Sequence, residues 1–571
     1  MPDNSYLTPY PFSLEGGLVL DQSTFSLPPG AALELENFEP DIRGGYRRIN
    51  GHTKWNANEV PYTTASTEEM LLSAFYEGEV IAARGEKIFR ASSGSTLLDG
   101  AHTDSVTTIT VDSTTDFSTT GTLYVGTEEI TYTGKTSTTF TGCTRGANGT
   151  SASAHSDNDT ITQYWTNIDT GRTSAERYNY FRFNLAGTEY ILLADGVNNA
   201  SYWDGSTMAD VSATGAPADP AYTTFFKDHA FYAGMSSNPQ EVVFAAPFTI
   251  NDFTVANGAG SFLVDTKVTG MIPFRGSLYI FGEDRIYRLV GSSESDFNIE
   301  PVTRNIGCRQ GNTIKEFAGD VIFLGPDGLR TVAGTERIGD VELGTISRPI
   351  QKIFDNITAD GSDFVAVVIP EKTQYRLFLA EASTTESLTK GVICSGKGRD
   401  IYEFAEIKGI KPSCTDNMEY GGTSYVLHGG YDGFVYRQEQ GNDFSGTTIV
   451  GKYRSVNLTT NDAGIRKSFQ RLLINFAPEG VLNSDVYIKY DYEDPNVPEP
   501  AAYPFDGTKV ASLYGATTYG TATYGGQAQP MIRQPIEGSG FAVAVKVVDS
   551  GVSAPYSLKG FQVEYSIAAR R

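Results

Sequence analysis

Histidine and cysteine are the side chains best able to ligate a metal ion or to act as base and nucleophile, and both are rare in this sequence. The 571 residues include 5 His and 4 Cys. No pair has the H-E-x-x-H or C-x-x-C spacing of zinc and redox sites, so a metal or triad site would have to be assembled by folding. We expect free thiols and no bound metal. The residues are His52, His102, His155, His229, His428, Cys143, Cys308, Cys394 and Cys414.

Carboxylates could supply acid–base chemistry of the kind used in glycoside hydrolysis. Glu128 with Glu129, or Asp363 with Glu371, could form such a pair, but 68 acidic residues make chance pairs abundant. The run from Ser156 to Asp159 could ligate calcium, yet it lacks the spaced acidic pattern of a calcium loop and favours a turn. No P-loop and no G-x-S-x-G motif occurs. The sequence therefore predicts no enzyme and no cofactor.

The charge balance argues against a function in tight binding of nucleic acid. Lys and Arg number 44 against 68 Asp and Glu, for a net charge of −24, and no basic run occurs. Binding to phosphates needs clustered cations that displace counterions, and docking on an anionic membrane needs the same. Any contact with DNA should therefore be repulsive. No apolar run approaches the roughly 18 residues of a membrane helix, and the N-terminus has no signal-peptide pattern.

The elements that position these residues are predicted to be strands. Tyr and Phe, at 32 each, suit pleated sheets. A short strand, a Gly/Asp turn and a second strand form a recurring unit, and apart from the first interval the units start about 40–50 residues apart, the period of propeller blades. About 65 residues, from Ala101 to Trp165, lengthen that first interval and read as an inserted β-domain. The units begin near Gly78, Thr188, Asp228, Gly276, Gly319, Thr373 and Thr423.

These patterns predict a mainly β fold, a β-propeller of about seven blades with an inserted small β-domain and a C-terminal β-sandwich. Unrelated hairpins in stacked sandwiches are the alternative. The predicted domains are an N-terminal arm with the first propeller strands (1–60), the propeller start (61–100), the inserted β-domain (101–165), the remaining blades (166–455) and the C-terminal sandwich-like domain (456–571).

Two further segments depart from the repeat. Helical spacing of Ile346, Ile350, Ile353, Phe354 and Ile357, with Ser347 as N-cap, predicts one helix that packs as core. A long Gly/Thr/Ala loop carries Tyr-Gly pairs every five residues. Long loops without secondary structure are often functional or ordered by a partner, and this one contains Tyr514, Tyr519 and Tyr524.

Three regions of the sequence resemble known proteins. The N-terminal runs Gly16–Leu18, Leu27–Gly30, Glu36–Pro40 and Gly44–Gly51 resemble the opening of tail structural proteins from tailed bacteriophages. Within the insert, Gly126–Gly134 and Thr144–His155 are similar to a small domain found in many phage tail proteins. The propeller region and the Ile346 helix resemble the tail nozzle proteins of short-tailed phages, also called packaged-DNA stabilisation or tail tubular B-type proteins.

The resemblance implies a virion structural protein located in the tail and assembled in the host cytoplasm. A homohexameric ring below the portal and adaptor would close and line the DNA exit channel. Tail fibres or spikes would attach outside, and double-stranded DNA would pass without tight binding or membrane insertion. The acidic composition fits such a channel wall, because it repels phosphate, although it would equally keep a large protein soluble.

Specific residues follow from this reading. Docking onto the adaptor is assigned to the N-terminal motif, for which a strand completing the first blade is the alternative: Asn37, Phe38, Gly44, Gly45, Tyr46 and Arg47. The insert motif comprises Glu129, Tyr132, Arg145, Gly149 and His155. Gating of the channel by loop rearrangement is assigned to Tyr514, Tyr519 and Tyr524.

Two other functions compete with this reading. A receptor-binding tail or baseplate protein would recognise a host surface glycan with exposed aromatic side chains beside Asp or Asn, at Trp203 or on the insert face. A propeller glycan hydrolase or lyase would place an acidic cluster with perturbed ionisation at the central mouth of the propeller.

Overall fold

Antiparallel strands make up most of the structure, a computed structural model. It describes residues 7–23, 27–62, 69–173, 177–333, 345–355, 363–380, 391–398, 401–480, 482–506 and 531–570. Within this part of the chain, no helix is both long enough and apolar enough to cross a membrane.

The N-terminal segment contributes five short strands that join distant parts of the chain. They are β1 (Thr8–Ser13), β2 (Ala32–Glu36), β3 (Phe38–Pro40), β4 (Tyr46–Arg48) and β5 (His52–Lys54).

The first blade is interrupted by the inserted unit. Its strands are β6 (Met70–Tyr76), β7 (Glu79–Arg84), β8 (Lys87–Ala91) and, after the insert, β16 (Thr166–Thr170). The insert has a four-stranded and a three-stranded sheet around its own apolar core. Its strands are β9 (Ser95–Leu97), β10 (Thr108–Thr110), β11 (Gly121–Val125), β12 (Glu128–Tyr132), β13 (Gly134–Lys135), β14 (Thr139–Thr141) and β15 (Thr160–Tyr164).

Blades 2 to 5 follow in chain order as antiparallel sheets, the fifth with Thr345 bridged to Arg330 of its third strand. Their strands are β17 (Asn179–Leu185), β18 (Thr188–Ala194), β19 (Ser201–Trp203) and β20 (Met208–Asp210); β21 (Tyr222–Phe226), β22 (His229–Ala233), β23 (Glu241–Phe244) and β24 (Gly260–Leu263); β25 (Val268–Phe274), β26 (Ser277–Gly282), β27 (Ile286–Val290) and β28 (Asn298–Thr303); β29 (Lys315–Phe317), β30 (Asp320–Gly325) and β31 (Gly328–Thr331).

Blades 6 and 7 connect the propeller to the chain termini. Blade 6 contains β32 (Asp363–Ile369), β33 (Gln374–Ala380), β34 (Gly391–Gly398) and β35 (Ile401–Ile407). Blade 7 contains β36 (Cys414–Tyr420), β37 (Thr423–Gly429) and β38 (Val435–Gln438), and β5 from the N-terminal segment is its fourth strand. The small strands β39 (Asp443–Phe444) and β40 (Thr447–Thr448) extend this sheet beyond β5.

The seven sheets form a closed ring because apolar side chains fill the space between each blade and the next. Phe75 of blade 1 shares a cluster with Leu427 of blade 7, and Tyr76 shares one with Trp203 of blade 2. Similar clusters connect the other neighbouring blades. The structure is therefore a seven-bladed propeller, as the sequence predicts, closed by a strand from the N-terminal side.

The repeated unit of the sequence corresponds to the second and third strands of every blade. In blade 4, for example, Leu278 pairs with Leu289 across β26 and β27. These middle strands are buried on both faces and are consequently rich in apolar residues. The recurring motif was thus a correct indicator of blade number.

The C-terminal unit is a sandwich of two sheets, and both include N-terminal strands. Its strands are β41 (Gly451–Ser455), β42 (Ile465–Pro478), β43 (Asn483–Tyr490), β44 (Tyr503–Asp506), β45 (Met531–Pro535), β46 (Ser539–Gly540), β47 (Val543–Asp549) and β48 (Tyr556–Arg570). One sheet has the order β3-β4-β48-β42-β45, with β1 beside β48 and β46 beside β42. The other runs β35-β2-β41-β47-β43-β44 and so continues blade 6.

The grouping of strands differs from the predicted segments at β41, which was predicted within the blade segment 166–455 but belongs to the C-terminal sandwich. Two further differences concern the N-terminal arm and the insert. Most of the N-terminal arm belongs to the C-terminal sandwich, and within it only β5 completes a blade, the seventh rather than the first. The inserted unit includes β9, so its sheet begins at Ser95 rather than Ala101. Both differences arise from pairing between strands that are distant in sequence, which local patterns do not encode.

The predicted helix is a short two-part element. A 3₁₀ turn (Arg348–Ile350) leads into α1 (Gln351–Asp355), and Ile350, Ile353 and Phe354 are buried as predicted. The Ser347 hydroxyl makes no cap; it accepts a hydrogen bond from the Leu329 amide, 3.0 Å away in blade 5. Ile357 lies outside the described residues. Elsewhere in the described residues, 3₁₀ turns lie at Ala147–Gly149, Val255–Asn257, Gly311–Thr313, Pro370–Lys372 and Asp491–Glu493.

Candidate functional site

Asn37 and Phe38 of the N-terminal motif hold sheets together inside the chain. Asn37 has φ of +56° and is buried. Its side-chain amide donates to the Val450 carbonyl at 2.8 Å and accepts from the Lys408 amide at 2.9 Å. Phe38 is fully buried, edge-on to Tyr556. Neither side chain is accessible to a partner in this conformation.

Tyr46 and Gly45 are equally enclosed. The Tyr46 hydroxyl donates to the Gly30 carbonyl at 2.8 Å and accepts from the Gly17 amide at 3.0 Å. Gly45 has φ of +86°, and a Cβ there would lie 2.1 Å from the Leu558 carbonyl oxygen. Close packing against β48 thus requires Gly45, and Tyr46 is enclosed beside it, whereas Gly44 has open space around it.

Arg47 belongs to a network of ion pairs between the N-terminal motif, blade 6 and the C-terminal unit. Its guanidinium contacts Glu39 at 3.0 Å and Glu479 at 2.6 Å. Glu39 also pairs with Lys372 at 2.6 Å and Arg376 at 3.0 Å. Burial alone would raise the pKa of Glu39, but the surrounding cations lower it to about 2. The cluster ties three parts of the chain together.

The accessible part of the motif is the loop between β3 and β4. Ile42, Arg43 and Gly44 are exposed there, Ile42 to 61%. The loop borders a groove of about 470 Å³ whose other walls include Lys372 and Glu479. Docking onto an adaptor remains a prediction, and this loop is the place where the motif can reach a partner.

The insert motif is organised by Glu128, a residue that sequence reasoning passed over in favour of Glu129. Glu128 is fully buried and accepts both ends of the Arg145 guanidinium at 2.8 Å. It also contacts His155 Nε2 at 2.8 Å and accepts the Gly146 amide at 2.9 Å. Burial alone would raise the pKa of Glu128, but these donors lower it to about 2. Arg145 and His155 are therefore structural partners of one carboxylate.

The remaining insert residues lie at the edges of this arrangement. Glu129 points to the other face of β12 and accepts from the Asn148 amide at 2.7 Å. The Tyr132 hydroxyl is buried, 2.7 Å from the Ser118 carbonyl. Gly149 is exposed with φ of +89° and forms the turn. Period-two alternation of burial along β12 was the signal that distinguishes Glu128 from Glu129.

The outer face of the insert carries an aromatic pair. The rings of Tyr124 and Tyr164 stack with centroids 5.2 Å apart, and both are half-buried. Burial and the charge of Glu129 raise the pKa of Tyr164 to about 12. Trp203, the other aromatic position considered for glycan binding, is 2% exposed between blades 1 and 2 and provides no binding surface.

The propeller axis contains a cavity of about 450 Å³, lined by the innermost strand of every blade. Sequence reasoning did not identify it, because it left open which strand faces point inward. Representative lining residues, one from each blade in order, are Leu72, Tyr180, Thr223, Met271, Lys315, Val365 and Asp416.

Asp416 is the polar centre of this axis. Its carboxylate accepts the Phe75 amide at 2.6 Å and the Tyr180 hydroxyl at 2.6 Å, and it pairs with the Arg182 guanidinium. Burial and the Asp416 charge raise the pKa of Tyr180 well above its usual value. One carboxylate thus connects blades 1, 2 and 7, where the ring closes.

Few of the described side chains that line the axial cavity could act as acid or base. Among the described lining residues, the carboxyls are Asp416, which is saturated with donors, and Glu316, which is exposed. The acidic cluster of the hydrolase reading is not present among them.

The environments of the histidine and cysteine side chains favour structural roles. Within the described part of the chain, no three His, Cys, Asp or Glu side chains could hold a metal ion. All four cysteines are buried and free, and burial raises the pKa of each thiol, to about 11 for Cys143 and Cys308. The run from Ser156 to Asp159 forms a turn, in which the Ser156 amide donates to Asp159 at 2.8 Å.

The predicted gating residues Tyr514, Tyr519 and Tyr524 lie outside the described residues. Their role stays a prediction.

Comparisons with known proteins find likeness only among solved structures. No family model and no curated protein matches the chain. Kluyveromyces lactis Hsv2 is 9% identical over 59% of this chain and 98% of its own, with a TM-score of 0.26. An ancestral GH74 enzyme is 9% identical over 69% and 53%, with a TM-score of 0.27. An exo-beta-1,3-galactanase from Phanerochaete chrysosporium is 8% identical over 91% and 99%, with a TM-score of 0.22. At these scores the likenesses carry no argument, and the propeller is defined by its own strand order and pairing.

Proposed function

We propose that this chain is a non-enzymatic subunit of the tail nozzle of a short-tailed bacteriophage. Copies of it would form a ring, a hexamer by the family resemblance, below the portal and adaptor. The ring would close and line the DNA exit channel, hold fibres or spikes outside, and release the genome at infection. The motifs of the N-terminal segment and the insert motivate this proposal.

The observation that carries a mechanical role is the continuous sheet between propeller and C-terminal sandwich. Strand β2 pairs in parallel with β35 of blade 6 at Glu36 and Glu406, and antiparallel with β41 of the sandwich. The buried cluster around Glu39 and Arg376 reinforces this junction. A subunit joined in this way would resist bending between propeller and sandwich, as a plug against packaged DNA would need.

In this proposal DNA passes between copies of the chain, not along the axis of each propeller. The axial cavity, at about 450 Å³, has the size of a small-molecule site. Tyr180, Arg182 and Asp416 line it and are bonded to one another. A ring of acidic subunits would then provide the repulsive wall that lets DNA slide.

Class averages of the purified full-length chain by electron microscopy test the proposal. We expect closed rings with a central opening wide enough for duplex DNA, alone or after addition of the adaptor. A chain that remains monomeric under both conditions contradicts it.

A receptor-binding function is the second candidate, and the aromatic pair on the insert favours it. Tyr124 and Tyr164 form an apolar surface beside Glu129 and Asn148, whose side chains are hydrogen-bonded to each other at 2.7 Å. Aromatic faces with adjacent polar groups suit sugar rings. Binding of the chain to host surface polysaccharide, lost in Tyr124→Ala and retained in Thr131→Ala on the neighbouring strand β12, would support this function. Equal binding by both variants, or none by the wild type, would reject it.

A further inference from the structure

The axial cavity gathers positive charge within a strongly acidic protein. Arg177, Arg182 and Lys315 line it, against the carboxylates of Asp416 and Glu316, whereas the whole chain has a net charge of −24. Buried charges need compensating partners. The pairing of each cation therefore decides whether the cavity lacks an anion.

Both arginines are already paired. One guanidinium nitrogen of Arg177 lies 3.1 Å from each oxygen of Glu69 and 3.0 Å from the Tyr431 hydroxyl. Arg182 pairs with Asp416 and donates to the Phe75 carbonyl at 2.8 Å. Glu316 is adjacent to Lys315 in β29, so the two side chains alternate along the strand and Glu316 is exposed.

Lys315 is the third cation that lines the cavity. It makes no side-chain hydrogen bond and no ion pair with any residue that the structure describes. Lys315 is half-buried. Loss of water around its ammonium lowers the pKa, the charge of Asp416 opposes this, and the charge of Arg182 adds to it. An anion beside Lys315 would relieve the cost of this unpaired charge.

The cavity that Lys315 lines also contains neutral hydrogen-bond donors. The side-chain amides of Asn312 and Asn417 line the same cavity and likewise have no side-chain hydrogen bond to another described residue. Met271 and Ile314 give the wall an apolar part. A few polar groups in a cavity of this size, with apolar wall beside them, are typical of small-molecule sites.

We propose that the axial cavity binds a small molecule carrying a phosphate or carboxylate group, with Lys315 as the charge partner and Asn312 and Asn417 as further donors. The ligand occupies the space enclosed by the seven inner strands and so stabilises the closed ring. This site is independent of the role in a phage tail, because a single chain contains all of it.

Thermal unfolding of the full-length chain tests the site, with inorganic phosphate as the probe at constant ionic strength set by chloride. We expect a saturable rise in Tm for the wild type, because a ligand that binds only the folded state stabilises it. In Lys315→Met the apparent Kd should rise at least tenfold, whereas Lys315→Arg should retain binding. Lys267→Met is the control, since Lys267 is 60% exposed and should leave the phosphate effect unchanged.

Acetate and citrate, used in the same assay, distinguish carboxylate from phosphate preference. Lysine side chains labelled by reductive ¹³C-methylation give a second readout, in which the Lys315 resonances should shift on saturation with the preferred anion. The absence of a saturable effect with all three anions overturns the proposal. So does an equal effect in Lys315→Met and the wild type.

Discussion

Two buried carboxylates organise the two regions that carry sequence motifs. Glu39 does so in the N-terminal segment, and Glu128 does so in the insert. Glu39 gathers Arg47, Lys372 and Arg376, and Glu128 gathers Arg145 and His155. Each accepts several charge-assisted hydrogen bonds, which compensate for the loss of water around it. At the scale of the residue, these motifs maintain structure.

Loss of the Glu128 charge should destabilise the insert selectively. Glu128→Gln leaves the buried guanidinium of Arg145 without a counter-ion, a change that typically costs about 3–5 kcal/mol. Hydrogen exchange of β11 and β12 measures the effect. Glu129→Gln removes a charge on the other face of β12 and should change protection little. Equal protection in the two variants would show that Glu128 is not the organising residue.

Acid should weaken the same unit. The pKa of Glu128 falls from 4.5 to about 2 on folding, so its stabilisation is complete above pH 4.5 and is lost as the pH falls toward 2. Hydrogen exchange as a function of pH should show this window in the wild type and not in Glu128→Gln.

His52 should make closure of the ring sensitive to mild acid. It stacks on Phe444 with centroids 5.1 Å apart, and burial lowers its pKa from 6.5 to about 4. The unfolded chain therefore binds more protons between these values, and His52 alone should lower the stability by about 3 kcal/mol as the pH drops from 6.5 to about 4. Burial also lowers the pKa of the neighbouring His428, which adds to the decline. Denaturant unfolding of His52→Phe should lose the His52 share of this decline and keep the share of His428, and His102→Gln, in the insert, should keep the full decline. A decline of the same size in His52→Phe contradicts the assignment.

At the scale of the element, local sequence patterns predict the strands of the blades but not the pairing and packing that join the blades. The middle strands of each blade are short, apolar and separated by Gly/Asp turns, so they recur visibly. The innermost strands contain both polar and apolar residues. In β17, for example, the aromatic Tyr180 and the charged Arg182 lie two positions apart. Their shared cavity is formed only when seven distant segments meet, and sequence could not predict it. Pairing of β2 with β35 and β41 is equally non-local.

The closing strand β5 should be sensitive to a single added carbon. A Cβ at Gly51 would lie 1.7 Å from the Asp443 carbonyl oxygen, so Gly51→Ala must displace either β5 or β39. We expect a lower Tm and faster hydrogen exchange in β38, whose outer edge pairs with β5. Gly464→Ala, where the nearest atom is 3.3 Å from the added Cβ, serves as control. Unchanged exchange in β38 would argue against closure by β5.

At the scale of the whole molecule, charge and architecture act together. The propeller, the sandwich and the N-terminal strands share sheets, while the chain has a net charge of −24. Such a body suits a wall that withstands pressure and repels phosphate. The axial cavity is the place of the small-molecule site proposed above.

Duplex DNA should not bind the isolated chain. Because the sequence has a net charge of −24 and no run of basic residues, few counterions would be released, so gel-shift assays at 50 and at 200 mM salt should show no retention. Retention at 50 mM salt that disappears at 200 mM would reveal a basic surface and contradict a repulsive wall.

The position of the chain in an intact virion is the most direct test of the proposed function. Cryo-electron microscopy of DNA-filled particles should place a ring of this protein around the tail axis, with its acidic surfaces toward the DNA. A location away from that axis, for example only at the tips of fibres, would contradict the account.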